Sequence, residues 1–258
     1  SHVHDGFSPG TPIMVLFPRG VQDAPLTSHT GDIRTSLGPD SPTVLVDADT
    51  GERILHFAEV EPTAPQSRRA LFIRPSVPLT FSHRYVVAIR GLSDPDGVAL
   101  EAPAGFARIR SGDTADDPVL DDLAARYEAD VFLPLSAAGV SREELLLAWD
   151  FTVRSEENTT GDMVAMRDDL RSRMETTPPA VTTTEVLDDY SEFIFRRIEA
   201  TITVPLYVDS TEPEALLNRD GEGDVVAVGE AEVPFTILIP RSVAARDPMS
   251  DPPARALQ

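Results

Sequence analysis

Two acidic loops carry the residue types best suited to chemistry in this 258-residue chain. In Asp47-Ala48-Asp49-Thr50-Gly51-Glu52 carboxylates alternate along a tight turn, and Asn218-Arg219-Asp220-Gly221-Glu222-Gly223-Asp224 repeats the theme. Calcium takes about six to eight hard oxygen ligands, and alternating acidic side chains on one turn supply roughly three or four. The candidate ligands are Asp47, Asp49 and Glu52 in the first loop and Asn218, Asp220, Glu222 and Asp224 in the second. Neither loop has the full spacing of an EF-hand. Both also suit an ordinary turn, with Asp accepting from its own backbone and Gly at positive φ. A plain turn is the first reading and a structural calcium the second.

Other chemistry is harder to place. A nucleophile elbow needs Gly-x-Ser-x-Gly on a strand-to-helix turn. The chain has none, and Ser111-Gly112 lacks the flanking pattern. The five histidines, His2, His4, His29, His56 and His83, fall in the first third with no evident base–nucleophile spacing. His2-Val3-His4-Asp5 reads as a lead-in rather than a chelate. Asn158-Thr159-Thr160 fits a glycosylation acceptor, which matters only in a eukaryotic secretory pathway. Cysteine is absent, which excludes a catalytic thiol, a thiolate zinc site and any disulfide. The acidic pairs Asp121-Asp122, Glu143-Glu144, Glu156-Glu157 and Asp168-Asp169 read as solvated helix faces rather than glycosidase carboxylates. Trp149 and Phe151 sit inside an apolar run and read as core. No catalytic residue is assigned, and no cofactor beyond calcium.

Composition narrows the partners. The net charge is −21, and with no lysine all 22 basic residues are arginine. Such an acidic surface repels nucleic acid and anionic membrane. No apolar run approaches the ~20 residues needed to span a bilayer. Arginine-, alanine- and proline-rich usage points to a GC-rich bacterial genome.

These loops must be positioned by short strands. Residues 13–17, 43–46, 54–60, 71–74, 85–89 and 106–109 are apolar runs separated by Pro, Gly, Asp and Ser clusters, the pattern of a sandwich. In the fifth run Tyr85, Val87 and Ile89 point one way while Arg84 and Arg90 point the other, predicting a half-buried strand. Ser93-Asp94-Pro95-Asp96-Gly97 supplies a turn after it. From 113 the period changes. Asp117-Pro118 starts a helix that Pro134 or Gly139 should end. Ser141-Arg142-Glu143-Glu144 matches a capping box, 145–153 a buried strand, and 161–173 a second helix. Residues 175–185, rich in Thr and Pro, read as a linker. Beyond it 198–208 and 235–239 alternate as strands, and 246–258 reads as a loosely held tail. The expected architecture is therefore mainly β: an Ig-like β-sandwich over 1–112, a helical connector with one buried strand over 113–175, and a second β-sandwich region over 176–258.

Several segments resemble a known family. DGFSPGTPI (5–13), SPTVLVDADTGERILHFAEV (41–60), LFIRPSVPLTFSHRYVVAIRGL (71–92), AWDFTVRS (148–155) and VPFTILIP (233–240) resemble the N-terminal Ig-like region of secreted bacterial virulence-factor-lipase-like and esterase-like proteins. In such proteins this region precedes an α/β-hydrolase domain bearing the Ser-His-acid residues. The present sequence stops at Gln258 before any such domain, so no catalytic residue carries over. The resemblance implies a non-catalytic accessory region of a secreted, periplasmic or surface-exposed hydrolase, partnered by a C-terminal hydrolase domain or another protein chain. The rival expectation is a cell-surface adhesion or assembly module, with or without calcium.

Overall fold

A computed structural model describes residues 3–246, so all but the first residue of the tail expected over 246–258 lies outside the described residues. The chain divides into two compact units that part between Thr159 and Thr160.

The first unit holds two three-stranded antiparallel sheets. One orders β1 (Ile13–Leu16), β4 (Ala70–Pro75) and β3 (His56–Val60) as β1-β4-β3. The other orders β2 (Thr43–Asp47), β5 (Arg84–Arg90) and β6 (Leu145–Thr152) as β2-β5-β6. Ile13, Leu71 and Ile73 of the first sheet join Leu45, Val87 and Ile89 of the second in one buried cluster, so the two sheets share a core.

The second sheet is covered on its other face as well. Val44, Val46, Val86 and Ala88 pack with Phe106 and Ile109 of α1 (Ala104–Ser111) and with Val131, Phe132 and Leu135. The last three come from a wide helical turn (Glu128–Phe132) and α3 (Leu133–Ala137), which continue α2 (Pro118–Tyr127). Residues 85–90 are therefore all buried, and the half-buried strand expected there is instead a central strand enclosed on both faces. The physical reason is in the run Tyr-Val-Val-Ala-Ile, which is apolar at every position, as strands covered on both faces are. Burying each Val or Ile contributes roughly 1.5–3 kcal/mol.

The run 106–109, expected as a strand, is also corrected: it lies in α1. Phe106 and Ile109 stand three apart, which puts both on one helix face, and both are buried. Gly112 at φ +78 ends the helix, with the Asp113 amide donating to Arg108 O at 3.0 Å. Asp117 starts α2 as expected, its carboxylate accepting from the Val119 and Leu120 amides. Pro134 does not stop the helical path; it occupies the first turn of α3, where its missing N–H costs little, and Gly139 at φ +75 follows the end.

Before β1 the chain returns to β6. Phe7 N donates to Thr152 O and Arg154 N donates to Phe7 O, each at 2.9 Å. Gly6 makes this approach possible, since a Cβ there would stand 2.6 Å from Arg154 N and Thr152 O.

His56 is fully buried in β3. Its Nδ1 lies 2.8 Å from Ile54 O, to which it donates, and its Nε2 lies 3.0 Å from Thr43 Oγ1 and 3.2 Å from Thr43 O. Burial pushes its pKa below the usual 6.5, and the Arg53 charge adds to that against two carbonyl contacts that oppose it. A depressed histidine pKa stabilises the fold fully above the unfolded value, and the contribution is lost as pH falls from there through the folded value. The stability gap between the native chain and His56→Gln should therefore narrow as pH drops from 7 to 5. Thermal melts of both proteins across that range check it, and a constant gap would refute the neutral buried ring.

The second unit is built on α4 (Glu156–Thr176), whose first turn precedes the boundary, and one antiparallel sheet ordered β7-β8-β9. Its strands are β7 (Val181–Asp188), β8 (Ile194–Leu206) and β9 (Gly229–Pro240), followed by the short α5 (Arg241–Ala244). Among the described residues this unit has one sheet, where two facing sheets were expected. Half of the expected linker 175–185 is β7, because Val181 and Thr182–184 are β-branched residues that suit an extended backbone. The sequence-drawn boundaries at 112 and 175 thus do not coincide with the compact units: β6, from the supposed connector, completes the sheet of the first unit. Tyr207 donates to Asp169 Oδ2 of α4 at 2.7 Å; burial, then this acceptor, pushes its hydroxyl up to about 12. Among the described residues no helix is long and apolar enough to cross a membrane.

Candidate functional site

The pairing of β2 with β5 sets Asp47 opposite Tyr85, and so brings the first acidic loop against the residues that lead into β5. Asp47, Asp49 and His83 form the one group of three or more acidic or imidazole side chains among the described residues with ligand atoms within 4.8 Å of one another. Asp47 is buried at the end of its strand, Asp49 is exposed and His83 is half-buried.

Each contact has a local cause. Asp47 Oδ1 accepts from the amides of Asp49 at 2.9 Å and Thr50 at 3.2 Å, which is the side-chain turn foreseen for this loop. Gly51 supplies the positive φ of +78 that closes it, its amide donating to Asp47 O. Asp47 Oδ2 lies 2.8 Å from His83 Nδ1. Asp49 Oδ2 accepts from the Arg84 amide at 2.7 Å, tying the loop to the first residue of β5. Ser82, at φ +62, makes the tight turn before His83, and its amide donates to Val153 O. The hydrogen bond that His83 donates to Asp47 raises the imidazole pKa above its usual 6.5, with Coulombic help from Asp47 and Asp49. Such a raised value stabilises the fold below the unfolded pKa and is lost as pH climbs through the folded one, opposite in sign to His56.

The arrangement holds an imidazole in one orientation, with Nδ1 on a buried carboxylate, as an acid–base pair requires. A serine-type triad needs in addition a hydroxyl on the other ring nitrogen. Among the described residues no hydrogen bond joins one to His83. The Tyr85 hydroxyl nearby accepts from the Thr80 amide at 2.8 Å, and burial followed by the neighbouring carboxylate raises its pKa.

As a metal centre the group offers two carboxylates and one imidazole. That is short of the oxygen set calcium takes, and an imidazole ligand suits a transition ion better. Asp47 is moreover engaged at both oxygens. Glu52 of the same loop stands outside the group; its backbone carbonyl accepts from Asp47 N, and its carboxylate is solvent-facing. In the second loop Asp220 Oδ1 accepts from the amides of Glu222 at 2.9 Å and Asp224 at 3.0 Å, and these bonds, Asp224's first, lower its pKa. Asn218, Asp220, Glu222 and Asp224 belong to no group of converging ligands among the described residues. Both loops therefore adopt the turn geometry that was their first reading.

His83 is the residue that sequence reasoning did not connect to the loop. The available signal was its place next to Arg84, at the start of a strand that must pair with β2. Neither the models of known protein families nor the curated proteins yield a match to this chain.

Proposed function

We propose that this chain is a non-catalytic, β-rich accessory region of an exported bacterial ester hydrolase, with Ig-like character in its sheet pair, which supports or shields a partner domain. The observation that carries the reading is the engagement of Asp47. The most enclosed carboxylate of the candidate site accepts from two backbone amides and faces the imidazole, so the group fastens a turn to a strand end. Other enclosed polar groups do the same kind of work: buried Asp94 accepts from the amides of Asp96 and Val98 and from Arg19. The segments that resemble the lipase-associated region supply the hydrolase context. Incubated with short p-nitrophenyl esters, the 258-residue chain should give no hydrolysis above buffer. Turnover abolished by a serine-directed inhibitor would overturn the proposal.

A further inference from the structure

We propose that the apolar face of the β7-β8-β9 sheet is a dimer surface, on which the same sheet of a second copy packs face to face. The register defines the face. Val186, Ile198 and Ile237 lie side by side across the three strands, and Val181, Ile202 and Val233 form a parallel row, with Phe235 between the rows on β9. On β8 Arg197, Glu199, Thr201 and Thr203 turn to the opposite face, where Leu187 and Leu238 flank Arg197. A sheet with one apolar face must bury it against another layer. Within this unit only Ala200 is buried among the described residues, and Val181, Val186, Val233 and Ile237 are 43–55% exposed.

Area and charge both favour a second copy as the occupant. Strands of 13, 12 and 8 residues project about 500 Å² at ~3.3 Å per residue and ~4.8 Å between strands. The apolar rows occupy most of that footprint, and an exposed apolar patch of a few hundred Å² marks an interaction site. Two copies face to face cover about 1,000 Å², the lower bound for a specific interface, which fits a weak and reversible dimer. The chain carries −21, yet the charges on this face are the Asp188 carboxylate and the Arg196 guanidinium, paired with each other at 2.5 Å. A basic partner would find no free carboxylate on the face to answer its charge. A second copy brings the same uncharged rows, and a two-fold axis makes such a patch complementary to itself. Packing of this kind completes in trans the second layer that the unit lacks.

The inference does not depend on the accessory-region proposal, and its test has no ester in it. Sedimentation of the 258-residue chain should show a species of twice 28.0 kDa that grows as the concentration is raised, as a weak interface requires. Raising salt should increase the dimer fraction, because it screens repulsion between two acidic chains. The double substitution Val233→Arg with Ile237→Arg should return the chain to a monomer with an unchanged far-ultraviolet circular dichroism spectrum. It also makes the chain less negative, which alone would favour association, so a monomer assigns the effect to the face. Glu232→Arg, on the opposite face, should leave the dimer intact. Because the chain has no cysteine, Ile237→Cys treated with a short bismaleimide should form a covalent dimer even if the double variant folds poorly. A single 28.0 kDa species at every concentration and salt, with no cross-link, would overturn the proposal and give the face to a different protein. A dimer that survives the double substitution would overturn it equally.

Discussion

Arg90→Leu should destabilise the first unit by about 2–4 kcal/mol, read as a lower urea midpoint in the fluorescence of Trp149. The guanidinium lies almost wholly enclosed at the end of β5. It donates from Nε to Ser41 O at 3.0 Å, from one terminal nitrogen to Glu144 Oε2 at 2.7 Å and from the other to Pro39 O. Leucine would fill much of the volume but strand two carbonyls of the 39–41 segment without a donor. Glu144 is largely exposed and contributes little to the loss, since water replaces its partner. Arg90→Lys should recover only part of the stability, because an ammonium is a point donor and cannot span three acceptors in a fork. The single tryptophan sits on β6 opposite Val87, so the probe is adjacent to the strand under test. A midpoint unchanged by the leucine substitution would remove the role assigned to this side chain.

Ala88→Asp should be worse, costing more than about 4 kcal/mol and leaving little folded protein. Ala88 has no exposed surface, and its side faces the cluster built by Phe106, Ile109 and Leu135. A carboxylate placed there would have no partner in an apolar layer. The same change at Val77, which is 45% exposed, should shift stability by no more than about 0.5 kcal/mol. Comparable urea midpoints for both variants would mean that the helices do not cover β5. The pair of measurements therefore tests the three-layer arrangement directly.

This second face of β5 is also where the sequence was least legible. Alternation of Tyr85, Val87 and Ile89 was visible, but the arginines at both ends made the strand look wet on one side. What encloses Val86 and Ala88 is supplied by residues 106–140, too distant along the chain for any local pattern to reveal. The strands β1 to β6 were legible because short apolar runs bounded by Pro, Gly and Asp have few other solutions. The segment 106–110 misled for a physical reason: Phe-Ala-Arg-Ile-Arg is too short for a period of two and a period of 3.6 to part company. Gly112, a left-handed helix stop, was the clue against a strand. At the candidate site Asp47 and Asp49 were legible as a turn, which the hydrogen bonds to the Asp49 and Thr50 amides bear out. His83 was not, because its partner lies 36 positions earlier and only strand pairing brings the two together.

The closure of Phe7 on Val153 sets an order of events during synthesis. The central sheet lacks its third strand until Leu145–Thr152 has been made, and the N-terminal strap has nothing to hold until Val153 follows. Loop entropy rises only with the logarithm of length, so the wait is a matter of timing more than of equilibrium cost. A nascent chain halted before residue 145 would expose the β5 edge and the unlatched Phe7, both prone to pairing with neighbours. Release of the last strand is thus the moment at which the first unit becomes safe from aggregation, and partners that bind extended chains have until then to act.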